Sequence, residues 1–199
     1  MSTVAIIPAR GGSQRIPLKN IKTFHGQPII AYSIQAAQQS KLFDHIVVST
    51  DDVKIADVAI EYGAKIHRRD PILADHLTGT QEVMQAVLKD MATAGDHFAR
   101  ACCIYPCAPM LHPGMLVRAE LALLEPAVQY VVPVGTWLQD PGMFYFGQAK
   151  AFLNRYPLIG LLTRIIDVDP ARCCDINTPE DFSRAETMYA ALQERLETI

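Results

Sequence analysis

The residues best suited to chemistry form a glycine-containing loop near the start of the chain. Residues 8–20 read Pro-Ala-Arg-Gly-Gly-Ser-Gln-Arg-Ile-Pro-Leu-Lys-Asn and directly follow the apolar run Val4–Ile7. Adjacent glycines let the backbone approach a ligand closely and turn successive N–H groups toward one concavity. The loop holds three cations and no acid, so this concavity attracts phosphates. It is the first candidate for a binding site.

The distribution of charge along the chain supports this choice. No carboxylate precedes Asp44, although the 199-residue chain carries a net charge of −3. The cations in the same segment are Arg10, Arg15, Lys19, Lys22 and Lys41. The alternative is a surface loop that is basic by chance. The asymmetry of charge and the position after the first apolar run favour a phosphate site.

Two familiar glycine loops are excluded. A P-loop requires a glycine before Lys-Ser or Lys-Thr, and the chain has none. The dinucleotide fingerprint GxGxxG fails because no glycine lies between Gly12 and Gly26. Two glycines with dispersed arginines and lysines suit a nucleoside triphosphate, whose phosphates are held by backbone amides and several separate cations.

Composition predicts one soluble domain over residues 1–199. Half of the residues are hydrophobic, 20% are charged and the pI is about 6.0, which argues against nucleic-acid and membrane partners. No apolar run reaches the roughly 18 residues that span a bilayer, and the first strand begins too early to leave room for a signal peptide. Five cysteines suit a reducing compartment, and a cytoplasmic location is expected. Cys102 and Cys103 lie on an apolar strand and are interpreted as small hydrophobes, with a metal cluster as the alternative.

Apolar runs alternate with helical patterns along the chain. Strands are predicted near residues 4–7, 46–48, 64–67, 101–105 and 130–134, and helices over 28–39, 52–62, from a Thr78–Gln81 capping box, over 113–124 and from 178. This alternation predicts a mostly parallel sheet covered on both faces, with ligands at the carboxyl ends of its strands. The phosphate loop and residues 49–52 both follow strands and are expected at that edge. Residues 135–163 break the rhythm and are predicted to leave the main sheet.

The order of motifs resembles a known family. Residues 6–13, 16–17 and 19–20 are similar to the signature of the CMP-sialic acid synthetase family, cytidylyltransferases that activate nine-carbon sugar acids. Further motifs follow in order and are most similar to the pseudaminic acid branch: Arg15, residues 31–34, 49–52, 105–106 and 175–181. The resemblance covers nearly the whole chain, with one gap after residue 134.

The resemblance implies a fold and a reaction. The fold is a Rossmann-like three-layer α/β/α nucleotidyltransferase domain, with residues 135–163 as a shortened arm for dimerisation and substrate binding. The anomeric hydroxyl of the sugar acid attacks the α-phosphate of CTP, and CMP-sugar and pyrophosphate form with the help of Mg²⁺. Such a transfer depends mainly on charge neutralisation and in-line positioning. A homodimer is also implied.

Site residues are carried over on the same basis. Arg10 and Lys19 are the implied catalytic residues. The implied nucleotide-binding residues are Arg10, Gly11, Gly12, Ser13, Gln14, Arg15, Lys19, Asn20, Arg69, Thr78 and Thr80. Thr78 has an equal interpretation as a helix cap, and Arg69 as part of a solvated basic cluster with His67 and Arg68. The family holds Mg²⁺ with an Asp-x-Asp pair before the last helix, and the resemblance implies that Asp175 and Asn177 are the ligands here. If the pair lies on a strand, residues i and i+2 face one side and can share a cation; alternatively, Asp175 is a turn residue.

Three departures from the family fall on functional parts. Gln14 stands where the family has lysine, and Asn177 stands where it has a second acidic ligand. Only residues 135–139 precede the motif at Asp140, where the family has a longer stretch; either the protein is short here or a loop is missing from the sequence. These departures favour a second hypothesis, a catalytically impaired relative that binds nucleotide or forms dimers without turnover. A nucleotidyltransferase that uses UTP is a third.

Overall fold

A seven-stranded sheet organises the molecule. The structure is a computed structural model that describes residues 2–75 and 77–197. Its strands are β1 (Thr3–Pro8), β2 (Thr23–Phe24), β3 (Gln27–Pro28), β4 (His45–Thr50), β5 (Lys65–Arg68), β6 (Arg100–Ile104), β7 (Tyr130–Val134), β8 (Phe144–Gln148) and β9 (Thr163–Asp167). The large sheet has the order β5-β4-β1-β6-β8-β7-β9, and β2 and β3 form a separate short hairpin. All neighbouring pairs in the large sheet are parallel except those of β8.

Helices cover both faces of this sheet. They are α1 (Ile29–Ser40), α2 (Val53–Glu61), α3 (Thr80–Thr93), α4 (Pro113–Leu123), α5 (Ala149–Leu153) and α6 (Pro179–Glu197). Side chains of a strand alternate between faces. Ala5 and Ile7 of β1 accordingly pack with α1, α2, α4 and α6, whereas Val4 and Ile6 pack with α3 and α5. The predicted three-layer α/β/α fold is confirmed.

The segment predicted to leave the sheet contains one of its central strands. β8 lies between β6 and β7 and is antiparallel to both, with Phe146 opposite Cys102 and Val131. Phe144 and Phe146 are fully buried in the core. The prediction is therefore wrong for residues 144–148, because alternating aromatic residues are inserted into the core there.

The connection into β8 is short. One 3-10 turn over Thr136–Leu138 links β7 to the loop before β8, and the Gly135 N–H donates to the Gln139 carbonyl at 2.8 Å. No helix in the described ranges is both long and apolar enough to cross a membrane.

The topology creates one preferred ligand edge. From β1 the chain continues to β4 and β5 on one side, and later to β6 on the other. The order of strands thus reverses next to β1, where open α/β sheets bind their ligands. Pro8 pairs with Ser49 at the carboxyl ends of β1 and β4, so the loops after these strands lie side by side, as predicted.

Candidate active site

The glycine-containing loop is held in place by two polar side chains. The Gly11 N–H donates to Asp51 Oδ1 at 2.9 Å, which ties the loop to the turn after β4. Asn20 is only 5% exposed, and its Nδ2 donates to the Arg10 carbonyl at 2.9 Å. The Cys107 thiol donates in turn to Asn20 Oδ1. Asn20 therefore orders the loop from within.

The two glycines have different environments. A Cβ on Gly11 would lie 2.8 Å from Cβ and Oδ2 of Asp52, too close for a real contact. Asp52 cannot easily withdraw, because its Oδ1 caps α2 by accepting the Ile55 N–H at 3.0 Å. A Cβ on Gly12 would meet nothing within 4 Å. Close packing requires a glycine at position 11, whereas position 12 is open.

Cations of the loop converge on one cavity of about 240 Å³. Lys19 Nζ donates to the Ile176 carbonyl at 2.6 Å, and Arg15 Nη2 donates to Asn177 Oδ1 at 3.2 Å. The predicted site residues that line it are Arg10, Ser13, Arg15, Lys19, Asn20, Asp175 and Asn177. Gln14 is exposed and lies outside this lining. The opening loop and the segment before α6 together form this cavity, and its cations suit an anionic ligand.

A second cavity of about 190 Å³ adjoins the first, and Arg10 and Tyr105 line both. It brings together the predicted residues Arg69, Thr78 and Thr80. Arg69 is 7% exposed and donates to the Ser49 carbonyl at 2.7 Å. Burial lowers the pKa of its guanidinium. The interpretation of Arg69 as part of a solvated cluster is therefore wrong.

Thr78 does not cap a helix. Helix α3 begins after Gly79, and Glu82 Oε2 accepts the Gly79 N–H at 2.5 Å. The Thr78 hydroxyl donates instead to Asp75 Oδ1 at 2.6 Å. The predicted capping box is one residue out of register, and Thr78 belongs to the wall of the second cavity.

Tyr105 is a site residue to which sequence analysis assigned no role. It follows β6 and joins the two cavities, and its hydroxyl lies 3.0 Å from Thr80 Oγ1. Burial raises the pKa of Tyr105 to about 12, so the phenol stays neutral at ordinary pH. Its position after a central strand, at the same edge as the glycine loop, is the signal that could have identified it.

Asp175 and Asn177 lie in a loop before α6 rather than on a strand, so the strand argument for this pair is wrong. Their side chains nevertheless meet, because Asn177 Nδ2 donates to Asp175 Oδ2. Asp181 fixes this loop by accepting the N–H groups of Asn177 and Thr178 at 3.0 and 2.9 Å, while Thr178 Oγ1 accepts the Asp181 N–H. These backbone donors lower the pKa of Asp181. The result is a capping box that begins α6.

Of Asp175 and Asn177, only Asp175 is placed to serve as a protein ligand for Mg²⁺. Mg²⁺ bound to substrate phosphates needs only one or two carboxylates, and Asp175 is an exposed carboxylate in the phosphate cavity. The amide oxygen of Asn177 faces Arg15, and its N–H faces Asp175, so this amide turns no oxygen toward Asp175.

The cysteines are not grouped into a metal site within the described part of the chain. Across residues 2–75 and 77–197, no three His, Cys, Asp or Glu side chains are grouped so that they could hold a metal. Cys102 and Cys103 are fully buried, and burial raises the pKa of the Cys103 thiol to about 12. Their interpretation as small hydrophobes is confirmed.

A cation-lined cavity at the switch point of a mostly parallel sheet is typical of nucleotide-binding α/β proteins. Comparison with known sequences narrows this class. The profile of the cytidylyltransferase family matches residues 4–141, and the chain belongs to this family. It is a nucleotidyltransferase, as the order of motifs predicted.

Individual relatives agree with this assignment. The chain is 31% identical to a pseudaminic acid cytidylyltransferase of Campylobacter jejuni (strain 81-176), over 98% of this chain and 99% of that protein. The alignment extends over 229 positions, more than the length of this chain, so that relative contains residues without a counterpart here. N-acylneuraminate cytidylyltransferase A of Danio rerio is 38% identical over 58% of this chain and 26% of its own length.

The fold is shared with solved structures of much lower identity. A CMP:2-keto-3-deoxy-manno-octonic acid synthetase complexed with CTP superposes with a TM-score of 0.75 at 16% identity, covering 96% of this chain and 99% of that one. A cytidylyltransferase from Leptospira borgpetersenii gives a TM-score of 0.71 at 14% identity, covering 99% and 96%. Both likenesses concern the fold alone.

Proposed function

We propose that this protein transfers CMP from CTP to the anomeric hydroxyl of a nine-carbon sugar acid and releases pyrophosphate, with pseudaminic acid as the acceptor. The observation that carries the proposal is the pair of adjoining cavities. One is lined by Arg10, Arg15 and Lys19 and suits a triphosphate, and the other contains Arg69 and suits a base. The family membership and the full-length relative in Campylobacter jejuni support the nucleotide and the acceptor.

The residues of the chain act mainly by position and charge. Arg10 lines both cavities, so it contacts the nucleotide where base and phosphates join. Lys19 is anchored on the Ile176 carbonyl and presents its positive charge to the phosphates. Both cations neutralise charge that develops as the bond to pyrophosphate breaks.

Mg²⁺ belongs to the same proposal, with Asp175 as its protein ligand. When bound, the ion would neutralise phosphate charge and orient the leaving pyrophosphate. Asn177 then has a different part: it links Arg15 to Asp175 and so positions both.

We also propose a homodimer that works in the cytoplasm, where its free cysteines would stay reduced. Phe144 and Phe146 are fully buried within this chain, so a subunit interface would use other residues. Light scattering during gel filtration measures the mass of the assembly and contradicts the dimer if it finds one 22.0 kDa chain.

Release of pyrophosphate tests the activity directly. Purified protein is supplied with CTP, Mg²⁺ and, in turn, pseudaminic, legionaminic and sialic acid. We expect turnover, fastest with pseudaminic acid. Lys19→Ala should lower kcat/KM by roughly 100-fold, the size of effect expected for an oriented charge acting on a transition state. Lys89→Ala removes an exposed lysine from α3 and serves as the control.

Two results would contradict the proposal. Absence of CMP-sugar with all three acids overturns the activity, and calorimetric binding of CTP in the same preparation would then favour the nucleotide-binding relative without turnover. Equal losses for Lys19→Ala and Lys89→Ala would overturn the role of Lys19 even if turnover is found.

A further inference from the structure

A third cavity, of about 450 Å³, lies beside the phosphate cavity and has no role in the function described so far. The two cavities share Asp175 and Asn177 in their walls. Its other walls come from the loop at residues 139–141, from Cys173 and Cys174, and from the start of α6. A ligand in this cavity would therefore lie next to a nucleotide bound on the loop after β1.

Arg184 is the cation among the residues that line this cavity. It lies on α6 and its Nη2 donates to Asp181 Oδ1 at 2.8 Å, while 58% of the side chain is exposed. A guanidinium has five N–H donors in a fork that matches a carboxylate. Asp181 and the Cys174 side chain, which also hydrogen-bonds to Arg184, orient this fork. A guanidinium with five N–H donors retains further donors for a ligand.

The acidic side chains of the cavity are already hydrogen-bonded. Asp181 accepts two backbone N–H groups at the start of α6. Asp140 Oδ1 accepts the Gly142 N–H at 2.8 Å, and its Oδ2 accepts the Tyr145 hydroxyl. Asp175, the third carboxylate of the cavity, accepts the side-chain N–H of Asn177. All three carboxylates have further lone pairs that can accept hydrogen bonds. A fitting ligand thus carries one carboxylate for Arg184 and several hydroxyl or amide donors for the acidic walls.

We propose that this cavity is the acceptor subsite and that Arg184 binds the carboxylate of the sugar acid. The inference rests on the proposed transfer of CMP, because a polyhydroxylated acid is the acceptor in that reaction. Its carboxylate lies at α6 and its reactive hydroxyl points past Asp175 toward the phosphate cavity. The side chain of Arg184 comes from a regular helix, whereas the shortened connection after β7 supplies another wall of the cavity at residues 139–141.

The kinetics of Arg184→Ala test the proposal. We expect the KM for pseudaminic acid to rise roughly 10- to 100-fold, as for the loss of a hydrogen bond between charged groups. The KM for CTP should stay within twofold of the wild type. Arg164→Ala is the matched control, because Arg164 is equally exposed at 58% and pairs with Glu125 at 2.6 Å on edge strand β9. It should change neither constant.

A second acceptor separates recognition from a structural effect. The carboxamide of pseudaminic acid lacks the charge that Arg184 would bind, so the wild type should prefer the acid, and Arg184→Ala should accept both equally poorly. If alanine lowers stability, Arg184→Lys retains the charge and should give an intermediate KM. An unchanged acid KM in folded Arg184→Ala overturns the proposal, as does an unchanged preference for acid over amide. Lack of turnover by the wild type would instead contradict the proposed function.

Discussion

Gly11 is constrained by the turn after β4 in two ways. Asp51 accepts its N–H, and the side chain of Asp52 occupies the space that a Cβ would need. At Gly12, by contrast, a Cβ would meet nothing within 4 Å. The two adjacent glycines, which are equivalent in sequence, therefore have separable roles: one allows packing of the loop, and the other lies at its open surface.

Substitution of each glycine by alanine measures this difference. Gly11→Ala should cost roughly 1–3 kcal/mol of unfolding free energy, as overpacking does, and should raise the KM for CTP because Asp52 displaces the loop. Gly12→Ala should stay within about 0.5 kcal/mol of the wild type. Urea unfolding and CTP kinetics provide both readings. Equal effects for the two variants would show that the contact with Asp52 does not decide the loop's position.

Single residues also mark where sequence reasoning reaches its limit. Whether Arg69 is solvated or buried depends on the Ser49 carbonyl of a neighbouring strand, which no local pattern reveals. Thr78–Gln81 and Gly79–Glu82 have the same spacing, and the competing bond from Thr78 to Asp75 decides between them. The types of residue at the site were predictable, whereas their partners required the fold.

Helix α6 begins shortly after Asp175, the proposed Mg²⁺ ligand, and its residues Asp181 and Arg184 line the proposed acceptor cavity. Its first turn holds Asp181, whose carboxylate accepts the N–H groups of Asn177 and Thr178 and pairs with Arg184. One side chain thereby caps the helix, fixes the loop that carries Asp175, and orients the proposed carboxylate-binding residue. The element, rather than any single ligand, sets the geometry of this side of the site.

Asp181→Ala should lower the unfolding free energy by about 0.5–2 kcal/mol at neutral pH, the usual cost of a lost cap. Since the pKa of Asp181 is lowered in the folded state, its contribution is complete above the unfolded value of about 3.9 and is lost as the pH falls through the folded pKa. The difference between variant and wild type should therefore shrink in acid. Unfolding curves from pH 7 to pH 3 measure it, with Asp57→Ala on α2 as control. A difference that is constant over this range would contradict the charge-based cap.

At the scale of elements, the periodicity of the sequence was sufficient for β1, β4, β5, β6 and β7 and for the helices other than α5, whereas β8, α5 and the parallel edge strand β9 were not predicted. Each of the predicted strands is a short apolar run next to a helical pattern, so local sequence carries the signal. The sequence did not predict β8, because its partners β6 and β7 both precede it and it is inserted between them in antiparallel orientation. Such pairing depends on contacts across the core and not on a local pattern.

The site as a whole is assembled from distant parts of the chain. Its residues follow β1, β4 and β6 and precede α6, and the hydrogen bonds from Gly11 to Asp51 and from Lys19 to Ile176 join these segments. An unfolded chain cannot reproduce this arrangement. A ligand that binds here stabilises only the folded molecule, and its affinity is therefore readable as a change in the melting temperature.

CTP with Mg²⁺ should raise the melting temperature. At 100 times its dissociation constant a ligand adds about 2.7 kcal/mol, which corresponds to a shift of roughly 5–10 °C for a chain of this size. Lys19→Ala should lose most of the shift, because a cation facing the phosphates is gone, while Lys89→Ala should keep it. Since the shift needs no acceptor and no turnover, it separates binding of the nucleotide from catalysis. A folded wild type whose melting temperature CTP leaves unchanged would contradict the nucleotide site on which both proposals depend.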